Sequence, residues 1–326
     1  MRELWPRETP ALEIDAAGVA LLLEPLFGMS TIESVTTVEG GLTNTNLRVR
    51  LAGLSDDLLL HVYQRGPEIA RTEVALMRHI GDRVPVQRLR YFADSNPLTG
   101  HAYAVFDWID GKPLDAALAS LDDGTRARLG CAVGRILAAV HGFRFAHFGF
   151  FGADLAVRTA IDFGPAALLA HLRLCLVESR GGARLGADLT ARLLDFAARD
   201  GARLAEWPQS PGLIHGDFSG ANVLVRAADD GGDVEVAAVL DWEYALSGPP
   251  GLDFGNLLRP PLGAMNAFAA GLAAGYRAAG GVLPPDWQRI ARIADLFAWG
   301  DILQRPLCSA AVVADARKII DATIRT

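Results

Sequence analysis

Three side chains with oxygen donors stand at the ends of short apolar runs in the second half of the chain. Asp217 follows the first run, Asn222 precedes the second and Asp241 follows the third. The second and third runs flank the polar turn 229–233 and predict a β-hairpin over 223–240. Its antiparallel strands should bring Asn222 and Asp241 to one end, where the tight turn after the first run also places Asp217. A carboxylate and an amide oxygen suit Mg²⁺, and the other carboxylate can face a substrate.

Two motifs contain these side chains, His215-Gly-Asp-Phe-Ser-Gly-Ala-Asn222 and Leu240-Asp-Trp-Glu-Tyr244. Together they resemble the catalytic loop and the metal-binding strand end of aminoglycoside phosphotransferases and choline kinases, which are relatives of the protein kinases. His-Gly-Asp alone would be a weak signal, but the joint spacing is specific. The alternative interpretation is a capped turn followed by an ordinary loop asparagine.

The resemblance implies a role for each of the three side chains. Asp217 would accept the hydrogen bond of a substrate hydroxyl and orient its oxygen toward the γ-phosphorus of ATP, because the loose transition state needs positioning more than proton removal. Asn222 and Asp241 would hold Mg²⁺ against the phosphates and neutralise charge on the transferring group. ATP and Mg²⁺ are therefore the cofactors that the resemblance implies.

Side chains near Asp217 are candidates for contacting the acceptor. Glu243 would help a second metal ion or face a cationic substrate, and Trp242 would line the pocket beside it. Trp299 and Asp301 are further candidates. For both, the favoured interpretation is an ordinary core or surface position without contact to the acceptor.

Two more residues are expected to support the loop that carries Asp217. His215 would brace it through hydrogen bonds rather than react. Asp253, in the motif Gly251-Leu-Asp-Phe-Gly-Asn256, matches a family aspartate that supports the same loop. Neither side chain is expected to touch the substrate.

A glycine-containing loop joins two predicted strands early in the chain. The loop Glu39-Gly-Gly-Leu-Thr-Asn-Thr-Asn46 lets backbone amides approach an anion closely. It resembles the nucleotide loop of choline-kinase-like enzymes, so Gly40, Gly41, Thr43 and Asn44 are predicted to contact the nucleotide. The alternative is an ordinary hairpin turn.

A second nucleotide-binding segment is predicted between the strand-rich and helix-rich parts. Phe106, Asp107 and Trp108 resemble the hinge whose backbone hydrogen-bonds adenine in the family. The alternative is an edge strand followed by a linker.

One position departs from the family pattern. Relatives place a Lys or Arg on the strand where this chain has His61, and that cation contacts the phosphates and pairs with a helix glutamate, here Glu73. Because the ordinary pKa of histidine is near 6.5, His61 is mostly neutral at pH 7 unless phosphate or Glu73 raises its pKa. Three alternatives stay open: Arg65 supplies the charge, the nucleotide binds weakly, or phosphoryl transfer is lost.

Strand patterns crowd the first third of the chain around one clear helix at 68–80, and long amphipathic helix patterns follow Gly111. This order predicts an α+β fold. The resemblance specifies a protein-kinase-like fold with two lobes. The N-terminal nucleotide-binding lobe, 1–108, would be an antiparallel sheet with one main helix, and the larger, mostly helical C-terminal lobe, 109–326, would contain the catalytic β-hairpin and the substrate site.

Composition excludes several classes of function. The chain has 31 Lys and Arg against 38 Asp and Glu, a net charge of −7, which disfavours nucleic acid or an anionic membrane as a partner. Hydrophobic residues at 51% and charged residues at 21% exclude global disorder. The three cysteines form no close pair for zinc or a disulfide scaffold, and no export signal is visible, so a cytoplasmic location is expected.

The leading hypothesis is an ATP- and Mg²⁺-dependent phosphotransferase that acts on a hydroxyl of a small aminoglycoside-, choline- or sugar-like molecule. The alternative is a nucleotide-binding pseudokinase or sensor, because His61 replaces the strand cation. Metal-assisted hydrolysis ranks last, because it needs several metal ligands near the three oxygen donors and the other histidines do not cluster there.

Overall fold

The computed structural model describes residues 5–39, 41–164, 166–208, 210–227 and 234–325. The predicted polar turn 229–233 and the predicted nucleotide contact Gly40 lie outside the described residues. Within the described part of the chain, none of the helices has the length and apolar character that a membrane span requires.

A five-stranded antiparallel sheet occupies the first third of the chain, with the strand order β1-β2-β3-β5-β4. The strands are β1 (Ile32–Thr37), β2 (Thr45–Leu51), β3 (Leu58–Val62), β4 (Leu89–Ala93) and β5 (Tyr103–Asp107). The helices of this part are α1 (Ala16–Phe27) and α2 (Pro67–Ile80). The predicted antiparallel sheet and its main helix, α2, are therefore confirmed.

Helix α1 and strand β4 are additions to the predicted elements. Helix α1 is apolar almost throughout and includes Pro25, so its sequence shows no polar face from which a helical period could be recognised. It begins at an N-cap, where the Asp15 carboxylate accepts the N–H of Gly18 at 2.8 Å. Strand β4 is half-buried, with an irregular register between Leu89 and Tyr91, which obscures the alternation typical of a strand.

The rest of the chain is mostly helical and contains two small sheets, ordered β11-β10-β6 and β8-β7-β12-β9. The helices are α3 (Leu114–Leu118), α4 (Asp123–His141), α5 (Ala167–Leu176), α6 (Gly181–Leu185), α7 (Ala187–Asp200), α8 (Gly251–Leu257), α9 (Asn266–Ala278), α10 (Trp287–Gln304) and α11 (Ala310–Arg325). The strands are β6 (Lys112–Pro113), β7 (Gly149–Phe151), β8 (Val157–Ala160), β9 (Gly212–Ile214), β10 (Val223–Ala227), β11 (Val234–Val239) and β12 (Leu246–Gly248). The α+β class and the predicted β10–β11 hairpin are confirmed.

The alternation of side chains along β3 divides the core of the sheet into two. Leu58 and Leu60 pack with α1 on one face. Leu59 packs on the other face into the larger core, which continues into the helical part. His61 shares that second face with Leu59, because successive side chains of a strand point to opposite sides. The strand therefore directs His61 toward the helical part of the molecule.

Helices α4 and α9 approach each other closely through four glycines, Gly130 and Gly134 on α4 and Gly271 and Gly275 on α9. A Cβ atom at any of these positions would lie between 2.0 and 2.3 Å from a backbone oxygen of the other helix. The contact therefore excludes every side chain larger than hydrogen. Helix α4 ends at His141, so this packing also fixes a residue that reaches the site described below.

We predict that Gly134→Ala and Gly275→Ala each lower the free energy of unfolding by about 1–3 kcal/mol, because an extra methyl group forces the helices apart. Gly124→Ala, in the first turn of α4, is the matched control, because its new Cβ would meet only side-chain atoms. Urea denaturation measures the difference. Equal stability of the Gly134→Ala and Gly124→Ala proteins would refute this account of the packing.

Candidate active site

Asp217 and Asn222 are joined by direct hydrogen bonds. Asp217 lies in the turn after β9, and Asn222 ends a single 3₁₀ turn before β10. The Asn222 side-chain amide donates to the Asp217 carbonyl oxygen at 2.9 Å and to its carboxylate Oδ2 at 3.0 Å. Since these bonds use Nδ2 of Asn222, its amide oxygen Oδ1 is directed elsewhere and is available as a metal ligand.

Asp241 follows β11 and lies beside Asn222 through the backbone. The N–H of Leu240 donates to the Asn222 carbonyl at 2.8 Å. Asp241 itself has φ 64° and ψ 64°, the left-handed region, which costs an ordinary L-residue about 1–2 kcal/mol. The residues on both sides hold it there: Leu240 accepts from the His215 ring at 2.8 Å, and the N–H of Trp242 donates to Glu73 at 2.9 Å. The hairpin therefore brings Asn222 and the backbone of Asp241 together.

A buried carboxylate beneath the turn supports Asp217. Asp253 is fully buried, and its two oxygens accept the N–H groups of His215 and Gly216, each at 2.9 Å. His141 lies 3.1 Å from the same carboxylate and 3.0 Å from the Tyr276 hydroxyl. With Nε2 of His141 protonated against Asp253, Nδ1 accepts the Tyr276 hydroxyl. Asp253 thus fixes the backbone that carries Asp217.

His215 has backbone partners on both ring nitrogens. Nε2 donates to the Leu240 carbonyl, so Nδ1 carries the lone pair and accepts the N–H of Asp217 at 3.3 Å. The side chain is fully buried and its ring packs on Trp242 at 4.5 Å between centroids. His215 therefore links the Asp217 turn to the Asp241 turn and has no access to a substrate.

Glu243 connects the candidate metal site to the N-terminal sheet. Its carboxylate accepts from the Asn44 amide at 3.2 Å and lies 3.5 Å from the Arg65 guanidinium, which stacks over Tyr244 at 4.6 Å. Burial raises the pKa of Glu243, and Arg65 and Asn44 oppose that rise. In this conformation Glu243 links the C-terminal part of the chain to Asn44 and Arg65 in the N-terminal part. Both of its carboxylate oxygens have partners within the protein.

The predicted pairing of His61 with Glu73 is not formed. Nε2 of His61 is buried without a hydrogen-bond partner, the ring packs on Tyr63 at 4.3 Å, and burial lowers its pKa to about 4. Glu73 instead accepts the N–H of Trp242, and burial together with Glu243 raises its pKa to about 7. A neutral His61 brings no positive charge to the site.

An arginine that the sequence patterns did not reveal holds the predicted nucleotide loop. The Arg7 guanidinium donates to the carbonyl oxygens of Gly41, Thr43 (3.1 Å) and Asn44 (2.9 Å). These bonds fix the direction of three carbonyl groups in the loop. Arg7 stands more than thirty residues before the loop in the sequence, so no local motif could have linked them.

Two of the predicted hinge donors are used inside the protein. The N–H of Asp107 donates to Arg88 and that of Trp108 donates to Asp57, each at 3.0 Å. Phe106 is buried at the end of β5. The backbone N–H groups of Asp107 and Trp108 are therefore used within the protein, and adenine binding by this segment stays a prediction.

The tryptophans suggested for the acceptor pocket lie in the core. Trp242 is 1% exposed and donates to the Val239 carbonyl, and Trp299 is 0% exposed and donates to Asp295. Trp242 therefore has no face for a substrate, which corrects its predicted role. Asp301 is exposed, as the alternative interpretation expected.

The arrangement brings the Asp217 carboxylate, the Asn222 amide and the backbone of Asp241 together where three loops meet. An amide oxygen and a carboxylate are hard donors that fit Mg²⁺, and phosphate oxygens and water would complete its six ligands. Asn222 and Asp241 are the residues that would hold the ion. Asp217, bonded to Asn222, would then lie at the edge of the ion's shell.

Comparison with known proteins supports this interpretation of the fold. No curated protein sequence matches the chain significantly. Among solved structures, the aminoglycoside phosphotransferase APH(4)-Ia is 18% identical with a TM-score of 0.69, and the match covers 95% of this chain and 99% of that one. Wild-type aminoglycoside 2'-phosphotransferase-IIIa, in its GDP complex, is 15% identical with a TM-score of 0.67, covering 93% and 96%. At these identities the likeness shows the fold, and the predicted kinase-like fold is confirmed.

The family assignment comes from the sequence itself. The family model APH, described as the phosphotransferase enzyme family, matches residues 34–293. This range holds the predicted nucleotide loop, Glu73 and all of the oxygen donors of the site. The chain is therefore a member of the phosphotransferase enzyme family, as the motifs predicted.

Proposed function

We propose that the protein transfers the γ-phosphate of ATP, with Mg²⁺, to a hydroxyl group of a small molecule. The observation that carries this proposal is the bonded group of Asp217 and Asn222, with the Asp241 backbone tied to Asn222 through Leu240. An alcohol acceptor needs a carboxylate to orient its oxygen, and a phosphate donor needs oxygen ligands for a metal ion. This group supplies both within one small volume.

Each side chain acts through its position. Asp217 accepts the hydroxyl hydrogen of the acceptor and directs the oxygen at the phosphorus, and Asn222 fixes the carboxylate through its amide N–H. Asn222 Oδ1 and the Asp241 carboxylate hold Mg²⁺. The ion, when bound, neutralises charge on the phosphates. Because these groups are fixed by Asp253 and His215 before any ligand arrives, little reorganisation is needed in the transition state.

Solved relatives support a nucleotide as donor. A structure of APH(4)-Ia contains AMP-PNP and hygromycin B, and one of APH(2")-IIIa contains GDP and kanamycin. These ligands fit the reaction proposed here, in which a nucleoside triphosphate is the phosphate donor and a molecule with several hydroxyl groups is the acceptor. An aminoglycoside-, choline- or sugar-like acceptor therefore remains our proposal.

We assign the missing phosphate-facing cation to Arg65. His61 is neutral, whereas the Arg65 guanidinium lies 3.5 Å from the Glu243 carboxylate. Glu243 stands two residues after Asp241, the proposed metal ligand. The Arg65 side chain is 33% exposed, so its guanidinium can exchange Glu243 for a phosphate without leaving Tyr244. Arginine suits this role because its planar group binds phosphate through two parallel hydrogen bonds.

The second candidate function is a nucleotide-binding sensor without turnover, and the buried, unprotonated His61 is the observation that favours it. The two functions differ in one respect. A sensor binds Mg²⁺ and nucleotide but forms no phosphorylated product with any acceptor.

Multiple-turnover phosphorylation of a panel of aminoglycosides, amino alcohols and sugars tests the proposed function. We predict that at least one acceptor is turned over and that Asp217→Asn lowers kcat by about 10²–10⁴-fold with unchanged nucleotide affinity. Asp188→Asn, an exposed site on α7, is the control and retains full activity. Nucleotide binding without product across the whole panel would establish the sensor instead.

The assignment of Arg65 is tested by rescue. We predict that Arg65→Ala raises KM for ATP about tenfold or more, because a hydrogen bond to a charged group contributes about 1.5–3 kcal/mol. Adding His61→Arg to that variant restores most of the loss, since it returns the charge to the strand. Arg192→Ala, on α7, controls for loss of a surface arginine. An unchanged KM in Arg65→Ala would remove Arg65 from the phosphate site.

A further inference from the structure

A cluster of three different metal-ligating side chains lies between α5 and α10. His171 and Cys175 stand one turn apart on α5, and Asp301 faces them from α10. Nε2 of His171 lies 3.5 Å from Sγ of Cys175 and 3.5 Å from Oδ1 of Asp301. All three ligand atoms lie within 4.8 Å of one another.

The two distances from His171 match the ligand spacing of a tetrahedral zinc ion. Zinc bonds of about 2.0–2.1 Å to nitrogen, 2.0–2.2 Å to oxygen and 2.3 Å to sulfur separate the ligand atoms by about 3.3–3.6 Å at the tetrahedral angle. The separations from His171 already fall in that range. We propose that His171, Cys175 and Asp301 form a site for a divalent transition-metal ion such as Zn²⁺.

The donor set distinguishes this site from the phosphoryl-transfer centre. One nitrogen, one sulfur and one oxygen favour Zn²⁺ or Co²⁺ over Mg²⁺, which prefers oxygen ligands only. A neutral imidazole, a thiolate and a carboxylate together balance the two positive charges of the ion. Only one of the three ligands is a cysteine, so the spacing of cysteines in the sequence gave no signal of the site.

Access to the site is open on one side. Cys175 is buried, whereas the His171 side chain is 23% exposed and that of Asp301 is 57% exposed. An ion can therefore enter past Asp301 and bind water as its fourth ligand. In the metal-free cluster Nε2–H of His171 donates to the carbonyl oxygen of Phe297 at 3.1 Å.

Binding requires two protons to move. Burial and the Asp301 carboxylate raise the pKa of the Cys175 thiol to about 12, so the metal-free cluster holds a thiol. The ion replaces the thiol proton, which leaves to solvent. The Nε2 proton of His171, which donates to the Phe297 carbonyl without the ion, is exchanged through solvent for one on Nδ1, so that Nε2 presents its lone pair. No oxidation or reduction takes place.

The bound ion would join two helices of the helical part. Helix α10 leads into Arg305, which pairs with Glu8 at 2.6 Å, so its C-terminal end is tied to the segment that carries Arg7. A metal link between α5 and α10 stabilises that end of the fold.

Titration of the full chain with Co²⁺ tests the site, because cobalt in a tetrahedral site with a thiolate has visible d–d bands and a near-ultraviolet sulfur-to-metal band. We predict both bands for the unaltered protein and for Cys131→Ala and Cys308→Ala. Cys175→Ala should lose the sulfur band, and Asp301→Asn should weaken binding at least about tenfold. Absence of the sulfur band, or its survival in Cys175→Ala, would overturn the proposal.

Thermal unfolding with Zn²⁺ gives a second measurement in case Cys175→Ala does not fold. Zn²⁺ should raise the Tm of the unaltered protein and of Cys131→Ala, because an ion that binds only the folded state stabilises it. It should raise the Tm of Asp301→Asn by less, since that exposed substitution weakens one ligand. An equal Tm rise in Asp301→Asn would contradict the proposed ligand set.

Discussion

The candidate active site depends on one fully buried carboxylate, that of Asp253. Its oxygens accept two backbone N–H groups of the turn that carries Asp217 and lie against His141, which in turn bonds to Tyr276. A buried carboxylate is stable only when its hydrogen bonds are satisfied. Movement of the turn would leave the Asp253 carboxylate buried without these partners, which is costly. The position of Asp217 is therefore set by the interior of the protein and not by its ligands.

Hydrogen bonds to buried carboxylates also connect the N-terminal and C-terminal parts of the chain. Glu73 on helix α2 accepts the N–H of Trp242, and the Asn44 amide, in the predicted nucleotide loop, donates to Glu243. Both contacts reach the segment that follows Asp241, whose left-handed backbone must be held by its neighbours. The resemblance predicted a strand cation as the partner of Glu73. In this chain Glu73 contacts Trp242, and His61 is neutral.

Sequence patterns predicted the parts of the site that follow from local order. Asp217, Asn222 and Asp241 could be placed together because a hairpin fixes which residues share an end. Arg7 and His141 could not, since they meet their partners across long stretches of chain that no periodic pattern links. Trp242 was misplaced because an aromatic residue beside a site is equally suited to a pocket or a core. Helix α1 lacked a polar face, so its apolar sequence carried no helical period.

The central claim is that Asn222 and Asp241 hold one divalent ion on a bound nucleotide beside Asp217. Electron paramagnetic resonance of Mn²⁺, titrated with the protein in the presence of ADP, measures this ion directly. The account predicts a tight ternary complex whose Mn²⁺ affinity falls at least about tenfold in Asp241→Ala and is retained in Asp188→Asn. Equal Mn²⁺ affinity in Asp241→Ala and the unaltered protein would contradict it.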